Sequence, residues 1–173
     1  MKIRKIKRSN QKGFSFIETL MAIAILSTGA ISLGAALTAG LVVTRVSEQQ
    51  LRAKQMCTSA IESILAARDI AMVNGTLNYS SINNVSNGGI FLDGAQNVTD
   101  SEGPDGIIGT ADDNGNNVAG FTRTIVFTNV ADPNRPTPPN PITMRKVVVT
   151  VSYQDRGQTR NETMTSYIAN LGG

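Results

Sequence analysis

Residues 12–18 read Lys-Gly-Phe-Ser-Phe-Ile-Glu and join a basic leader to a long uncharged segment. The leader, residues 1–13, carries six cationic side chains and no acidic one. After Glu18, no charged residue occurs before Arg45. A carboxylate is costly in a membrane, which predicts a specific role for Glu18. The alternative is a chance carboxylate at the membrane edge.

The uncharged segment has the length of a membrane span. Residues 19–44 would form a helix about 39 Å long, enough to cross a hydrocarbon core of about 30 Å with some tilt. The leader cations predict that the N-terminus stays in the cytoplasm and that the chain after Arg45 is exported. In an ordinary secretory signal the apolar part precedes the cleavage point, whereas here it follows Gly13 and stays with the mature protein.

Small residues are frequent in this segment, where Gly29, Gly34 and Gly40 lie among Ala, Ser, Thr and large aliphatic side chains. Small residues let helix backbones approach closely, which predicts packing against other helices. The alternative is that glycine is simply more common in membrane helices than in soluble ones. The adjacent leader favours the packing interpretation.

The composition fits one exported domain with an extension. The chain has 173 residues and a formal charge of +3, but without the leader ten basic residues face thirteen acidic ones. The basic balance therefore gives no reason to expect nucleic-acid binding. Cys57 is the single cysteine and histidine is absent, which excludes an intramolecular disulfide, the usual zinc ligand sets and the common Ser-His and Cys-His pairs. No catalytic residues and no resident cofactor are predicted, and the sequence does not support an enzyme.

Helical periodicity continues beyond the membrane segment. The apolar positions on one face are Ala53, Cys57, Ala60, Ile61, Ile64, Ala67 and Ala71, and the polar positions opposite are Glu48, Gln55, Ser59, Glu62 and Asp69. This spacing predicts a helix from about Ser15 to Val73 whose second half is amphipathic, with Asn74-Gly75 as the stop signal. Because Cys57 lies on the apolar face, we interpret it as a buried small side chain and not as a reactive thiol.

Three later segments alternate β-branched or aromatic residues with polar ones: Phe121–Thr128, Thr143–Tyr153 and Thr159–Ala169. The turn composition of residues 154–158 predicts a hairpin between the last two. A short strand is also expected at Ile90–Leu92. The proline-rich residues 132–141 must form a loop, because proline fixes φ and has no backbone donor.

These patterns predict an α+β fold in which a long N-terminal helix packs on a C-terminal antiparallel sheet of three or four strands. The helix has a transmembrane half and an amphipathic half. The expected divisions are the leader at 1–13, a transmembrane helix at 14–45 and an exported globular domain at 46–173.

An acidic stretch without Lys or Arg lies between Leu92 and Asn117. Asp105, Asp112 and Asp113, with nearby glycines, are candidate ligands for a weak calcium site of the kind found in extracellular modules. The spacing is not that of an EF-hand loop. A solvated acidic loop is the alternative interpretation and the one that the composition favours.

The basic leader, Gly13, Phe14, Glu18 and the following apolar segment together resemble the type IV prepilin signature. The order of helix and sheet is similar to that of pilins and pseudopilins, and residues 24–33 most resemble minor pilins of the PilV type and I-type pseudopilins. Two departures from major pilins point to a minor subunit. Ala35 stands where a proline is common, and the lone Cys57 cannot close a C-terminal disulfide loop.

The resemblance implies that a prepilin peptidase cuts between Gly13 and Phe14 and methylates the new Phe14 amine. It also implies that Glu18 attracts the Phe14 amine of a neighbouring subunit in a filament core. The implied partners are the peptidase, other pilins and minor pilins in a helical filament, and an inner-membrane assembly platform.

The expected location is the bacterial inner membrane as a single-pass protein, and then a pilus or pseudopilus. The expected role is that of a structural or assembly-priming minor pilin. The alternatives are a pseudopilin of type II secretion, or a pilus-tip subunit in which residues 80–117 contact an adhesion ligand or DNA. A basic or aromatic-rich patch would favour DNA, and the sequence shows neither clearly.

Overall fold

The computed structural model describes residues 13–74, 77–130 and 144–170. It contains one long helix and four strands: α1 Phe16–Asn74, β1 Gln96–Thr99, β2 Asn117–Asn129, β3 Met144–Asp155 and β4 Gln158–Ala169. Short 3-10 turns lie at Tyr79–Ser81 and Val85–Asn87. The chain divides into two compact units, Met1–Arg45 and Val46–Gly173.

The strands form an antiparallel sheet in the order β1-β2-β3-β4. At its centre Ile125 lies opposite Val149, and Val149 lies opposite Met164. Alternate residues of β3 are buried, as expected when one face of a sheet covers a core and the other meets solvent. The predicted α+β fold, with a long helix packed on an antiparallel sheet, is confirmed.

The second half of α1 buries one face against the sheet. The stripe residues Ala53, Cys57, Ala60, Ile61, Ile64 and Ala67 are all buried. The opposite positions, Glu48, Gln55, Ser59, Glu62 and Asp69, are exposed as predicted. Alanines on the buried face let the helix approach the strands closely, while Ile61 and Ile64 each contribute roughly 1.5–3 kcal/mol from the burial of their side chains.

Cys57 lies where the helix meets β3 and β4. Its Sγ atom is 3.4 Å from the Glu162 carbonyl oxygen and 3.9 Å from that of Val149. Burial raises the pKa of the thiol, although a backbone hydrogen bond partly opposes this effect. The predicted burial of Cys57 is confirmed. Its lack of reactivity stays a prediction.

The hairpin between β3 and β4 turns through two residues, Arg156 and Gly157, which lie between the paired Asp155 and Gln158. Their φ angles are 51° and 77°, and two positive values in a row are typical of a type I′ turn. Glycine adopts such a φ at no steric cost, whereas Arg156 adopts it against its preference.

Two polar side chains tie the segment after the helix to the sheet. Asn84 donates from Nδ2 to the Ile125 carbonyl at 2.8 Å and accepts at Oδ1 from the Phe127 amide at 3.0 Å. Arg145 donates to the carbonyls of Tyr79 and Ile82 at 2.6 and 2.8 Å. These bonds add partners to backbone groups of the sheet and of the segment after the helix, and most buried backbone polar groups need such partners.

The sequence-based elements differ from the structure in two places. β1 was not predicted, and the short strand expected at Ile90–Leu92 is wrong, because Phe91 forms only an isolated bridge with Asn84. The fully buried Phe91 side chain fills the core instead. The predicted loop at 132–141, Gly75 of the stop signal, the side chain of Ala71 and leader residues 1–12 lie outside the described residues.

Candidate functional site

The residues before α1 are open and accessible. Gly13 and Phe14 precede the helix, and the Phe14 side chain is 84% exposed. A side-chain carbon placed on Gly13 would meet no atom within 4 Å. The helix then begins with the Ser15 carbonyl, which accepts from the Thr19 amide at 3.1 Å. A peptide bond between two non-helical, uncovered residues is in a suitable conformation for proteolysis.

Glu18 lies in the first turn of α1 and is exposed. The four unpaired amides at a helix N-terminus carry partial positive charge, so a carboxylate is favoured there. The helix therefore places the carboxylate close to the N-terminal end at which a cleaved chain would begin. Its pairing with the Phe14 amine of another subunit stays a prediction.

The first half of α1 leaves its large apolar side chains exposed. They include Phe16, Ile17, Met21, Ile25, Leu26, Ile31, Leu33, Leu37 and Leu41. Within the described residues, α1 is the single helix that is long and apolar enough to span a membrane. An apolar surface of this size needs lipid or protein around it, which is consistent with anchoring in an inner membrane.

Hydroxyl groups in this segment are paired within the helix itself. Ser27 donates to the Ile23 carbonyl at 2.7 Å, and Ser32 donates to that of Thr28 at 2.8 Å. Thr38 and Thr44 donate to carbonyls in the preceding turn in the same way. Such bonds lower the cost of burying a hydroxyl, so these polar residues do not conflict with an apolar environment. The glycines at 29, 34 and 40 have open space around them.

The acidic stretch brings two of the three candidate calcium ligands to one hydroxyl. Thr110 Oγ1 lies 3.1 Å from Asp105 Oδ2 and 2.6 Å from Asp112 Oδ1. Asp105 Oδ1 also accepts from the Ile107 amide at 2.7 Å, and Asp112 Oδ2 accepts from the Asp105 amide at 3.2 Å. The hydrogen bond from Thr110 is the main reason that the pKa of Asp112 is lowered.

Asp113 is held apart in a buried ion pair with Arg123 on β2. The two charged atoms are 3.0 Å apart, with side-chain exposures of 12% for Asp113 and 4% for Arg123. Asp113 Oδ2 also accepts from the Gly109 amide at 2.9 Å. Burial lowers the pKa of Arg123, and the Asp113 charge opposes that change.

No group of three or more metal-ligating side chains able to hold an ion occurs among the described residues. The carboxylates of Asp105, Asp112 and Asp113 instead accept hydrogen bonds from the protein. Calcium binding by these residues stays a prediction, to be checked by comparing the melting temperature in millimolar calcium and in magnesium.

Sequence reasoning missed Arg123 and its role in this loop. The available signal was its position, because a cation midway between Phe121 and Ile125 in an alternating strand points into the core. A buried cation requires a carboxylate partner, and the acidic stretch ends shortly before β2 in the sequence. Arg145 gave the same signal, since it alternates in phase with the buried valines of β3, whereas Asn84 gave none.

Among the comparisons with known proteins, one finds a match, and it lies in the N-terminal segment. A family model described as the prokaryotic N-terminal methylation motif matches residues 8–34. No curated protein and no solved structure matches the chain significantly. The motif supports a type IV pilin-like protein. It implies processing by a prepilin peptidase and assembly with other pilins.

Proposed function

We propose that the chain is a minor subunit of a type IV pilus, with a structural or assembly-priming role. The observation that carries this proposal is the combination found at residues 13–45. An open Gly13-Phe14 bond precedes a helix that has one acidic residue, Glu18, in its first turn and an apolar surface that stays exposed. The methylation motif covers the same segment.

In this proposal the peptidase cuts after Gly13, and methylation of the Phe14 amine follows. Glycine suits the cleavage site because a residue without a side chain lets the backbone lie close to the catalytic groups of a protease. The mature helix then leaves the membrane side by side with the helices of other subunits. Its open glycines allow close approach of neighbouring backbones.

The minor role is favoured by the chemistry of the exported domain. Cys57 is the sole thiol and is buried, so a disulfide cannot tie down the C-terminal strands as it does in many major pilins. A pseudopilin of type II secretion would share every feature named above. Two experiments distinguish the two machines. Finding this chain in purified pili would support the pilus, and loss of enzyme secretion after deletion of its gene would support type II secretion.

The direct test is the N-terminus of the protein recovered from its native membrane. We expect mass analysis to find Phe14 as the first residue with one added methyl group. Gly13→Ala should slow the cut and Gly13→Val should block it, whereas Ser9→Val in the leader should leave cleavage intact. An assembled, working protein that begins at Met1 would refute the proposal.

A further inference from the structure

The pairing of β1 with β2 is irregular at one end of the sheet. Asn97 pairs with Thr122 and Thr99 with Asn117, so β1 advances two residues while β2 advances five. The three extra residues of β2 form a bulge, in which Gly120 takes a φ of 84°. Bulges of this kind open space beside a sheet.

The bulge forms one wall of a groove of about 280 Å³. A row of directly opposed residues crosses the sheet from β1 to β4 beside this wall: Asn97, Thr122, Ser152 and Asn161. The first three of them line the groove. Opposed residues project on the same face, and neighbouring strands lie about 4.8 Å apart.

The polar groups of this row are available for a ligand. Within the described part of the chain, no hydrogen bond occupies the side chains of these four residues or of Asn117 on the bulge. Gln154 and Thr159 close the far end of the groove and bond each other at 2.9 Å. The remaining lining residues are Val118, Ala119, Gly120, Phe121 and Tyr153.

The lining excludes several ligand classes. It contains no Lys or Arg to attract an anion or a nucleic acid, and no Asp or Glu to attract a cation. Phe121 and Tyr153 are 7% and 5% exposed and pack on each other with ring centroids 5.8 Å apart. They therefore offer little surface to a lipid chain or an aromatic ligand.

We propose that this groove binds a neutral saccharide. Amides of Asn97 and Asn117 each offer a donor and an acceptor, and the hydroxyls of Thr122 and Ser152 offer both in one atom. A sugar ring presents the same mixture of uncharged donors and acceptors at its edge. The volume lies near the lower limit of small-molecule sites, which suits one or two sugar rings. This proposal concerns the sheet and does not rest on the filament role.

The test uses the full chain in a zwitterionic detergent, because detergents with sugar headgroups would compete. Lactose, cellobiose and chitobiose are titrated separately, and binding is followed by saturation-transfer NMR. We expect saturable binding of at least one disaccharide. Asn117→Ala or Thr122→Val should weaken it about 5- to 10-fold, which is the loss expected for one neutral hydrogen bond.

Thr128→Val is the matched control, since it removes a hydroxyl from the same face of β2 outside the groove. It should leave the affinity unchanged, and all three variants should keep the native melting temperature within a few degrees. Failure of all three disaccharides to bind would overturn the proposal. Binding that survives the double variant Asn117→Ala, Thr122→Val, or binding only of a blocked trialanine peptide, would also overturn it.

Discussion

Glu18 is a carboxylate with little intramolecular support. The helix dipole stabilises an exposed charge in the first turn by about 0.3–1 kcal/mol, whereas an acidic residue well inside a membrane costs about 2.5–3.5 kcal/mol. The dipole alone does not offset that cost once the segment is surrounded by apolar groups. We propose that a cation from a neighbouring subunit supplies the missing stabilisation.

We therefore expect Glu18→Ala to keep membrane insertion and folding but to lose most incorporation into filaments. Glu18→Gln, which keeps the shape and removes the charge, should behave like the alanine variant. Incorporation is measured as the ratio of filament-bound to membrane-bound protein. Normal incorporation of both variants would rule out a charge pair, and loss of the folded exported domain would show a different role for Glu18.

The ion pair between Asp113 and Arg123 holds the acidic loop against β2. Both side chains are nearly buried, so each charge depends on the other. Asp113 Oδ1 is buried without a hydrogen-bond partner among the described residues, which makes this carboxylate sensitive to any loss of Arg123.

Arg123→Met should lower the free energy of unfolding by about 3–5 kcal/mol, because it leaves a buried charge without compensation. The double variant Arg123→Met, Asp113→Leu should recover much of that loss. Urea unfolding of the full chain in detergent micelles measures both. Arg160→Met is the control, since its contact with Asp155 is long, at 3.7 Å, and the Arg160 side chain is 57% exposed, so the pair should contribute under about 1 kcal/mol. Equal losses for the single and double variants would contradict a paired role.

At the scale of elements, the tight turn after β3 contains one unfavourable residue. Arg156 sits at a φ of 51°, where an Asn side chain is tolerated better, and Asn-Gly is the preferred type I′ pair. We expect Arg156→Asn to raise the free energy of unfolding by up to about 1 kcal/mol. Arg156→Val should lower it, because β-branched residues disfavour positive φ. Thermal unfolding measures the stability of both variants. A less stable Arg156→Asn and a more stable Arg156→Val would show that the turn is not type I′.

The acidic loop should give the domain a stability that depends on pH. The lowered pKa of Asp112 means that its contribution is fully present above the unfolded value of about 3.9. That contribution is lost as the pH falls through the folded pKa. Urea unfolding between pH 6 and 2.5 should show that the free energy of unfolding falls as the pH falls. This decline should be smaller in Thr110→Val. Glu62→Gln, an exposed helix position, should keep the native decline. An unchanged decline in Thr110→Val would contradict the assigned cause.

The long elements were predictable because their patterns are strong. The 3.6-residue period predicted the buried face of α1, and strict alternation predicted β2, β3 and β4. β1 was missed because Gln96-Asn97-Val98-Thr99 is too short to alternate convincingly. Its pairing is set by distant residues of β2 and not by its own propensity.

The candidate site was likewise predictable only in part. Gly13, Phe14 and Glu18 could be proposed from the sequence because their order along the chain carries the signal. The acidic loop was recognised by composition, but its internal hydrogen bonds and its tie to Arg123 were not. Those contacts join residues far apart in sequence, and no periodicity encodes them. The groove was missed for the same reason, since it depends on a register shift.

At the scale of the whole molecule, the two units differ in what surrounds them. The Met1–Arg45 unit exposes apolar side chains, whereas Val46–Gly173 contains the buried helix stripe and the complete sheet. We expect a truncated protein that begins at Val46 to be soluble and to unfold cooperatively in urea. A matched truncation at Met56 should be destabilised, because it removes Ala53 and the bond between Gln50 and Glu162.

Circular dichroism and size-exclusion chromatography test that expectation. A monomer with mixed helix and strand signal supports an autonomous exported domain. Aggregation of the protein beginning at Val46, or equal stability of both truncations, would contradict the division at Arg45 and Val46.

The burial of Cys57 gives this protein a built-in reporter. Its thiol is 1% exposed and faces strand carbonyls, so a maleimide dye reaches it only when the helix separates from the sheet. Labelling kinetics would therefore read the opening of that interface without any engineered probe. For the same reason a second cysteine placed on the surface would be labelled selectively while the buried Cys57 stays unreacted.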